Sequence, residues 1–195
     1  RTPVMSIWLT SDLHLGHDFV ARTRGFDQTA EHDDAVSDAW VARVRAKDTV
    51  WVLGDLALAN PTYALSVLAP LPGIKNLVWG NHDRGWPAHR NAHTQARPYM
   101  DVFASVQAFA RRRIDGAEVM LSHFPYDGDT DGRPVDRHEQ YRLRDLGLPL
   151  IHGHTHSTKF LTASERGSLQ LHVGFDAHRR MVSLEEVAAQ LAGGL

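Results

Sequence analysis

Apolar residues in this chain fall into short runs. Ile7–Thr10, Thr49–Leu53, Asn76–Trp79, Glu118–Ser122, Leu148–His152 and Leu169–Val173 are each four or five residues long and rich in Val, Ile, Leu or Trp. That is the length and content of strands buried on both faces. Between the runs the period changes. Over Glu31–Ala46, Val36, Trp40 and Val44 recur at i, i+4 and i+8, which predicts an amphipathic helix. Asn60-Pro61 supplies an N-cap and a first-turn proline for a second helix. That helix turns Leu65 and Leu68 inward and stops near Pro70 and Pro72. Ser183 and Glu186 form a capping box that opens a last helix through Leu191. Asp115-Gly116, between Val106–Ile114 and Ala117–Leu121, predicts a two-residue hairpin. Strands alternating with helices, plus one hairpin, predict an α/β protein with mixed strand directions and two sheets. Arg84–Pro98 and Tyr126–Arg144 read as long surface loops.

Composition narrows this picture. A chain of 195 residues is expected to form a single domain, 1–195, with residues 1–4 outside the fold. With 43% hydrophobic and 23% charged residues it is not a wholly disordered chain. Lys and Arg total 21 against 23 Asp and Glu, a net charge of −2, so a broadly basic surface for extended duplex nucleic acid is excluded. The lack of Cys excludes a thiol nucleophile, Cys-bound zinc and iron–sulfur clusters. No apolar run approaches the roughly 18 residues of a membrane span, so no membrane partner and a cytoplasmic location are expected. The unusual quantity is histidine, 13 in all.

The histidines and acids sit where strands end. Asp12 and His14 follow the first run, Gly54-Asp55 the second, and Gly80-Asn81-His82-Asp83 the third. His123 follows the fourth, and Gly153-His154-Thr155-His156 the fifth. Ligands of open α/β sheets bind at the carboxyl ends of strands, so strands sharing a direction bring these groups to one rim. Carboxylates mixed with imidazoles suit Mn²⁺, Fe, Zn²⁺, Ni²⁺ or Co²⁺ better than Ca²⁺. Asp12 and His14, two apart, are expected to lean the same way from extended backbone, and His154 and His156 likewise. A lone carboxylate such as Asp55 can bridge two ions about 3.5–4 Å apart.

This order of motifs resembles the calcineurin-like metallophosphoesterases, most closely the small bacterial and phage-encoded members. The likeness runs from Asp12 to His156 and includes Ser11-Asp12-Leu13-His14-Leu15-Gly16-His17 near the start and Val173-Gly174-Phe175-Asp176 near the end. It implies an αββα two-sheet sandwich with a dinuclear metal centre. Carried over residue by residue, Asp12, His14 and His156 hold one ion, and Asn81, His123 and His154 hold the other. Asp55 bridges both, and His82 addresses the phosphoryl oxygen or the leaving group. One departure is informative. The protein phosphatases of that superfamily extend Gly-Asp into an acidic and arginine-containing segment, whereas Gly54-Asp55 continues as Leu56-Ala57-Leu58-Ala59-Asn60.

The expected activity is therefore hydrolysis of small phosphodiesters, nucleotide-like or cyclic-nucleotide, by a hydroxide shared between two divalent ions, Mn²⁺ first among them. A phosphomonoesterase is the alternative. Its more highly charged substrate wants a further cation, which Arg22, Arg24 or Arg84 is placed to supply, with His17 as another pocket residue. A non-catalytic scaffold of the same fold is the remote reading, since all seven ligands and His82 are present. Asp83 is expected to cap the following turn, His152 to be a core or supporting group, and His32, His89, His93, His138 and His178 to lie on the surface. Trp86 lies in a loop near the site, with stacking on a base only the lesser reading for it, and Arg111-Arg112-Arg113 are expected to protect an edge strand.

Overall fold

Parallel strands need crossover connections, and the helices between the apolar runs supply them. The computed structural model describes residues 5–194, so residues 1–4, expected to stand apart from the fold, are outside the described residues. β1 (Ile7–Thr10) leads through α1 (Asp18–Thr23) and α2 (Thr29–Val41) to β2 (Thr49–Val52). From there α3 (Pro61–Leu68) leads to β3 (Ile74–Val78), and α4 (Ala92–Gln95) with α5 (Arg97–Met100) leads to β4 (Ser105–Gln107). The chain then enters a second sheet with β5 (Ala110–Ile114), β6 (Ala117–Leu121), β7 (Leu150–His152), β8 (Leu161–Ala163) and β9 (Leu169–His172). It ends with α6 (Phe175–His178), β10 (Val182–Ser183) and α7 (Leu184–Gly193).

The first sheet has the order β10-β1-β2-β3-β4, with β1 to β4 parallel and β10 antiparallel. The second has the order β5-β6-β7-β9-β8, with β6, β7 and β9 parallel between antiparallel edges. Alternation along the strands builds two cores. Val50, Val52 and Leu77 face the helices, where they meet Val36 and Trp40 of α2, Leu65 and Leu68 of α3, and Tyr99 of α5. Leu9, Trp51, Leu53 and Val78 face the other way, onto Val119, Leu121, Ile151 and Leu171 of the second sheet. α7 contributes Val187 to this second core, and its capping box forms as expected. Asn60 also caps as predicted, its side chain accepting from Tyr63 N–H. No helix among the described residues is long and apolar enough to cross a membrane.

Three expectations need correction. The stretch Val106–Ile114 is not one strand. Its first part joins β3 in the first sheet, with Val78 opposite Gln107, and only Ala110–Ile114 forms the hairpin with β6. Apolar patterning does not record a change of sheet: Val106 packs against the first core, while Ala110 and Ile114 enter the second. The helix predicted over Glu31–Ala46 ends at Val41. Asp48 pulls the following turn back toward β1 by accepting from Arg45 N–H, Ser6 N–H and Trp8 Nε1. His32 is not on the surface: it is fully buried, its ring between Arg24 Nη1 at 2.9 Å and Asp33 Oδ1 at 2.8 Å. The arginine run does lie on β5, an edge strand, as expected.

Trp40 is the largest fully buried side chain, and its indole N–H donates to Pro72 O at 2.9 Å. Trp40→Ala is expected to cost about 3–5 kcal/mol, read as a lowered urea midpoint at unchanged slope.

Candidate metal centre

The chain leaves β1, β2, β3, β6 and β7 at one rim, and every expected ligand follows one of these ends. The first two exits stay paired beyond their strands: Asp12 N–H donates to Gly54 O, His14 N–H to Asp55 O and Leu15 N–H to Leu56 O. Contrary to the expectation of extended backbone at Asp12 and His14 and at His154 and His156, the backbone here is not extended. Asp12 (φ 56°), His14 (48°), Asp55 (57°), His154 (70°) and His156 (51°) all take the left-handed conformation. Each costs free energy on the order of 1–3 kcal/mol, and such residues cluster at functional sites. Asp and His tolerate this region better than most residues. Two glycines make the close approach possible. A Cβ on Gly54 (φ 88°) would collide with Gly80 N, and one on Gly153 with Ser11 Oγ.

The side chains converge in two groups. Asp12, His14 and His156 form one, and Asp55, His123 and His154 the other; within each, the donor atoms lie within 4.8 Å of one another. His14 Nε2 faces His156 Nε2 at 3.1 Å. His154 Nδ1 lies 3.2 Å and Asn81 Oδ1 3.1 Å from His123 Nε2. Asp55 joins the groups. Its Oδ1 accepts from His82 N–H, while Oδ2 stands 3.4 Å from His123 Nε2, 3.9 Å from His82 Nε2 and 4.0 Å from His14 Nε2. Asp12 also crosses between groups, both carboxylate oxygens accepting from His154 N–H.

The electrostatics ask for positive charge at this spot. Burial raises the pKa of Asp55, but His123 and His14 beside it more than offset that and hold the carboxyl well below its usual range. Burial lowers His123, yet the Asp55 charge wins and pushes it up to about 9. His14, nearly as deep, is pushed down to about 3 by burial. Imidazole nitrogens that face each other at hydrogen-bond distance around buried carboxylates are a donor set for borderline divalent cations. The residues fit such ions in two adjacent positions.

A further ring of residues fixes the rotamers. Asp129 Oδ2 lies 2.9 Å from His154 Nε2 and is itself gripped by Arg137 and Arg142. Asp176 Oδ2 lies 2.8 Å from His156 Nδ1 and is paired with Arg24. The Leu53 carbonyl is 2.7 Å from His123 Nδ1. Carboxylates and carbonyls behind metal-binding imidazoles set which nitrogen points at the ion. Asp83, fully buried, does not cap the following turn: its carboxylate accepts from Gly80 N–H on the turn it closes and from Asp55 N–H and Leu56 N–H. Aromatic rings pack behind the second group: Phe124 is 5.0 Å from His123 and 4.8 Å from His154, and His138, half-buried rather than on the surface, is 5.4 Å from His154. Trp86 is wedged among Phe124, His138 and Tyr141.

The expected phosphate-binding arginines lie elsewhere. Arg24 is buried and donates to Asp12 O, Leu13 O and Asp176, with His32 Nε2 2.9 Å from its Nη1; it braces the ligand loop from behind. Arg22 is exposed and pairs with Asp18. Arg84 is exposed, and its backbone N–H donates to Tyr99 Oη. None of the three lines the cavity that opens beside His14, His82 and His156, whereas His17 does. Asp129 was missed because it lies in a loop with no periodic pattern. Asp129-x₇-Arg137-x₄-Arg142 offered no signal without its partners in space.

A profile described as "Calcineurin-like phosphoesterase superfamily domain" matches residues 5–188. The Gene 66 protein of Mycobacterium phage L5 is 42% identical over 191 residues, covering 92% of this chain and 91% of that protein. The Gene 66 protein of Mycobacterium phage D29 is 40% identical over 190 residues, covering 93% and 94%. A crystal structure of a protein of unknown function from Aquifex aeolicus shares the fold, with TM-score 0.70 and 21% identity over 95% of this chain and 99% of that one. With a rim of carboxylates and imidazoles at the strand ends and a family match over almost its whole length, the chain belongs to the calcineurin-like phosphoesterase superfamily.

Proposed function

We propose that the chain is a two-metal phosphodiesterase acting on small diesters, with Asp12, His14 and His156 at one ion, Asn81, His123 and His154 at the other, and Asp55 between them. The observation that carries the diester reading is the wall of the cavity beside the first group. It holds His14, His17, His82 and His156 but no Lys or Arg, and its one carboxylate, Asp176, is already paired with Arg24. A monoester brings a second negative charge to this wall and finds no side-chain cation to meet it. A diester, with one charge, needs none beyond the ions.

Divalent ions held there supply Lewis-acid charge to the phosphoryl oxygens and make water acidic enough to act as a nucleophile near neutral pH. The residues do the remainder. Asp129 and Asp176 hold His154 and His156 in the tautomers that direct Nδ1 and Nε2 inward. Asp83 fixes the backbone that carries Asp55. His82, its side chain 41% exposed and lining the cavity, is free to donate to the departing oxygen. The scaffold reading has no support in the site, since every expected donor is present and oriented.

Four measurements test this. Metal-stripped protein given Mn²⁺ is expected to hydrolyse bis-p-nitrophenyl phosphate faster than p-nitrophenyl phosphate; faster monoester turnover would sink the diester assignment, and no turnover with any divalent ion would return the scaffold. Asp55→Asn is expected to abolish turnover and lower bound metal per chain, read by atomic emission. His82→Ala is expected to slow diesters with alkyl leaving groups by roughly 10²–10⁴ and nitrophenyl diesters much less; equal losses would give His82 an electrostatic role only. Asp129→Asn is expected to weaken binding of one ion by about 10–100-fold, measured by competition with a chelating dye, with the other ion little changed.

A further inference from the structure

The cavity beside His14, His82 and His156 has a second wall. It encloses about 460 Å³ and is closed on that side by Phe19, Val20 and Leu58. Phe19 stands in the first turn of α1, two residues after the N-cap His17, whose Nδ1 accepts from Val20 N–H. The helix turns Val20 and Ala21 into the protein, and this leaves the Phe19 side chain outside, 70% exposed over the cavity. Among the described residues, no other strongly exposed large apolar side chain lines this cavity. Isolated apolar residues on a surface are ordinary; an aromatic ring, a valine and a leucine set together opposite three imidazoles are a pocket with an apolar side and a metal-facing side.

We infer that this wall is the subsite for a flat aromatic or aryl-like ester arm of the substrate, held between Phe19 and Leu58 while the phosphoryl group meets His14, His82 and His156. The inference rests on the phosphodiesterase reading and narrows its substrate class. An anionic arm is disfavoured on the same wall, since no Lys or Arg lines the cavity. A continuing nucleic-acid strand, whose next phosphate follows within one nucleotide, is thus a poor occupant. A single planar group with no further charge suits it, and an aromatic face is what Phe19 presents to such a group.

The test uses binding, so that leaving-group chemistry does not enter. Methylphenylphosphinate and dimethylphosphinate carry the same singly charged anchor, like a diester, and differ only in one arm. Titrated calorimetrically into the Mn²⁺-loaded protein, methylphenylphosphinate is expected to bind about tenfold more tightly, 1.4 kcal/mol. In Phe19→Ala that ratio is expected to fall to about two while dimethylphosphinate binds as before, and Leu58→Ala is expected to move it in the same direction. Equal affinities in the wild-type protein, or a ratio untouched by Phe19→Ala, would overturn the subsite alone. If Mn²⁺ or dimethylphosphinate itself does not bind, the phosphodiesterase reading fails and the subsite goes with it.

Discussion

Asp83 accepts three backbone N–H groups, one from Gly80 on its own turn and two from Asp55 and Leu56 on the turn after β2. Those bonds fix the separation of two strand exits that carry Asp55, Asn81 and His82. The carboxyl is fully buried, and burial together with the Asp55 charge pushes its pKa up to about 7. Hydrogen bonds to the carboxylate pull the other way. Asp83 thus stays compatible with a second buried acid nearby only because backbone dipoles, and any cation at Asp55, share the load. Remove this clamp and Asp55 has a side chain but no fixed place to hold it.

The left-handed backbone at five candidate ligands belongs to the same design. Each residue doubles back immediately after its strand and so points a side chain across the rim rather than along it. Strain of this kind persists only where the surroundings over-determine it. Here the surroundings are the two cores beneath, the paired exits after β1 and β2, and the carboxylates that grip the imidazoles from behind. Asp12, His14 and Asp55 are held through the paired exits after β1 and β2, and His154 through the Asp12 carboxylate.

The donors themselves were legible along the chain, since each stands one to four residues beyond a short apolar run. The helix cap at Asn60 and the capping box at Ser183 were legible for the same reason: their chemistry is local. What escaped is what depends on distant partners. Arg24 reads as a cation available to a phosphate until Asp176, 152 residues away, takes its guanidinium. His32 reads as solvent-facing until Arg24 arrives beside it. Asp129 sits in a segment without period, and β4 and β5 read as one strand but are divided between two sheets. Sequence spacing reports which residues share a face, not which sheet a face belongs to.

Each donor group draws on both sheets. Asp12 and His14 follow a strand of the first sheet and His156 a strand of the second; Asp55 follows the first, His123 and His154 the second. An ion in either position would therefore cross-link the two halves of the sandwich, closing a loop of 144 residues from Asp12 to His156 or of 68 to 99 residues from Asp55 to His123 and His154. Its binding free energy is at once folding free energy, growing with the logarithm of free metal. The tightness of the sandwich and the supply of divalent cations become one variable, so that metal scarcity would loosen the inter-sheet core as well as idle the rim above it.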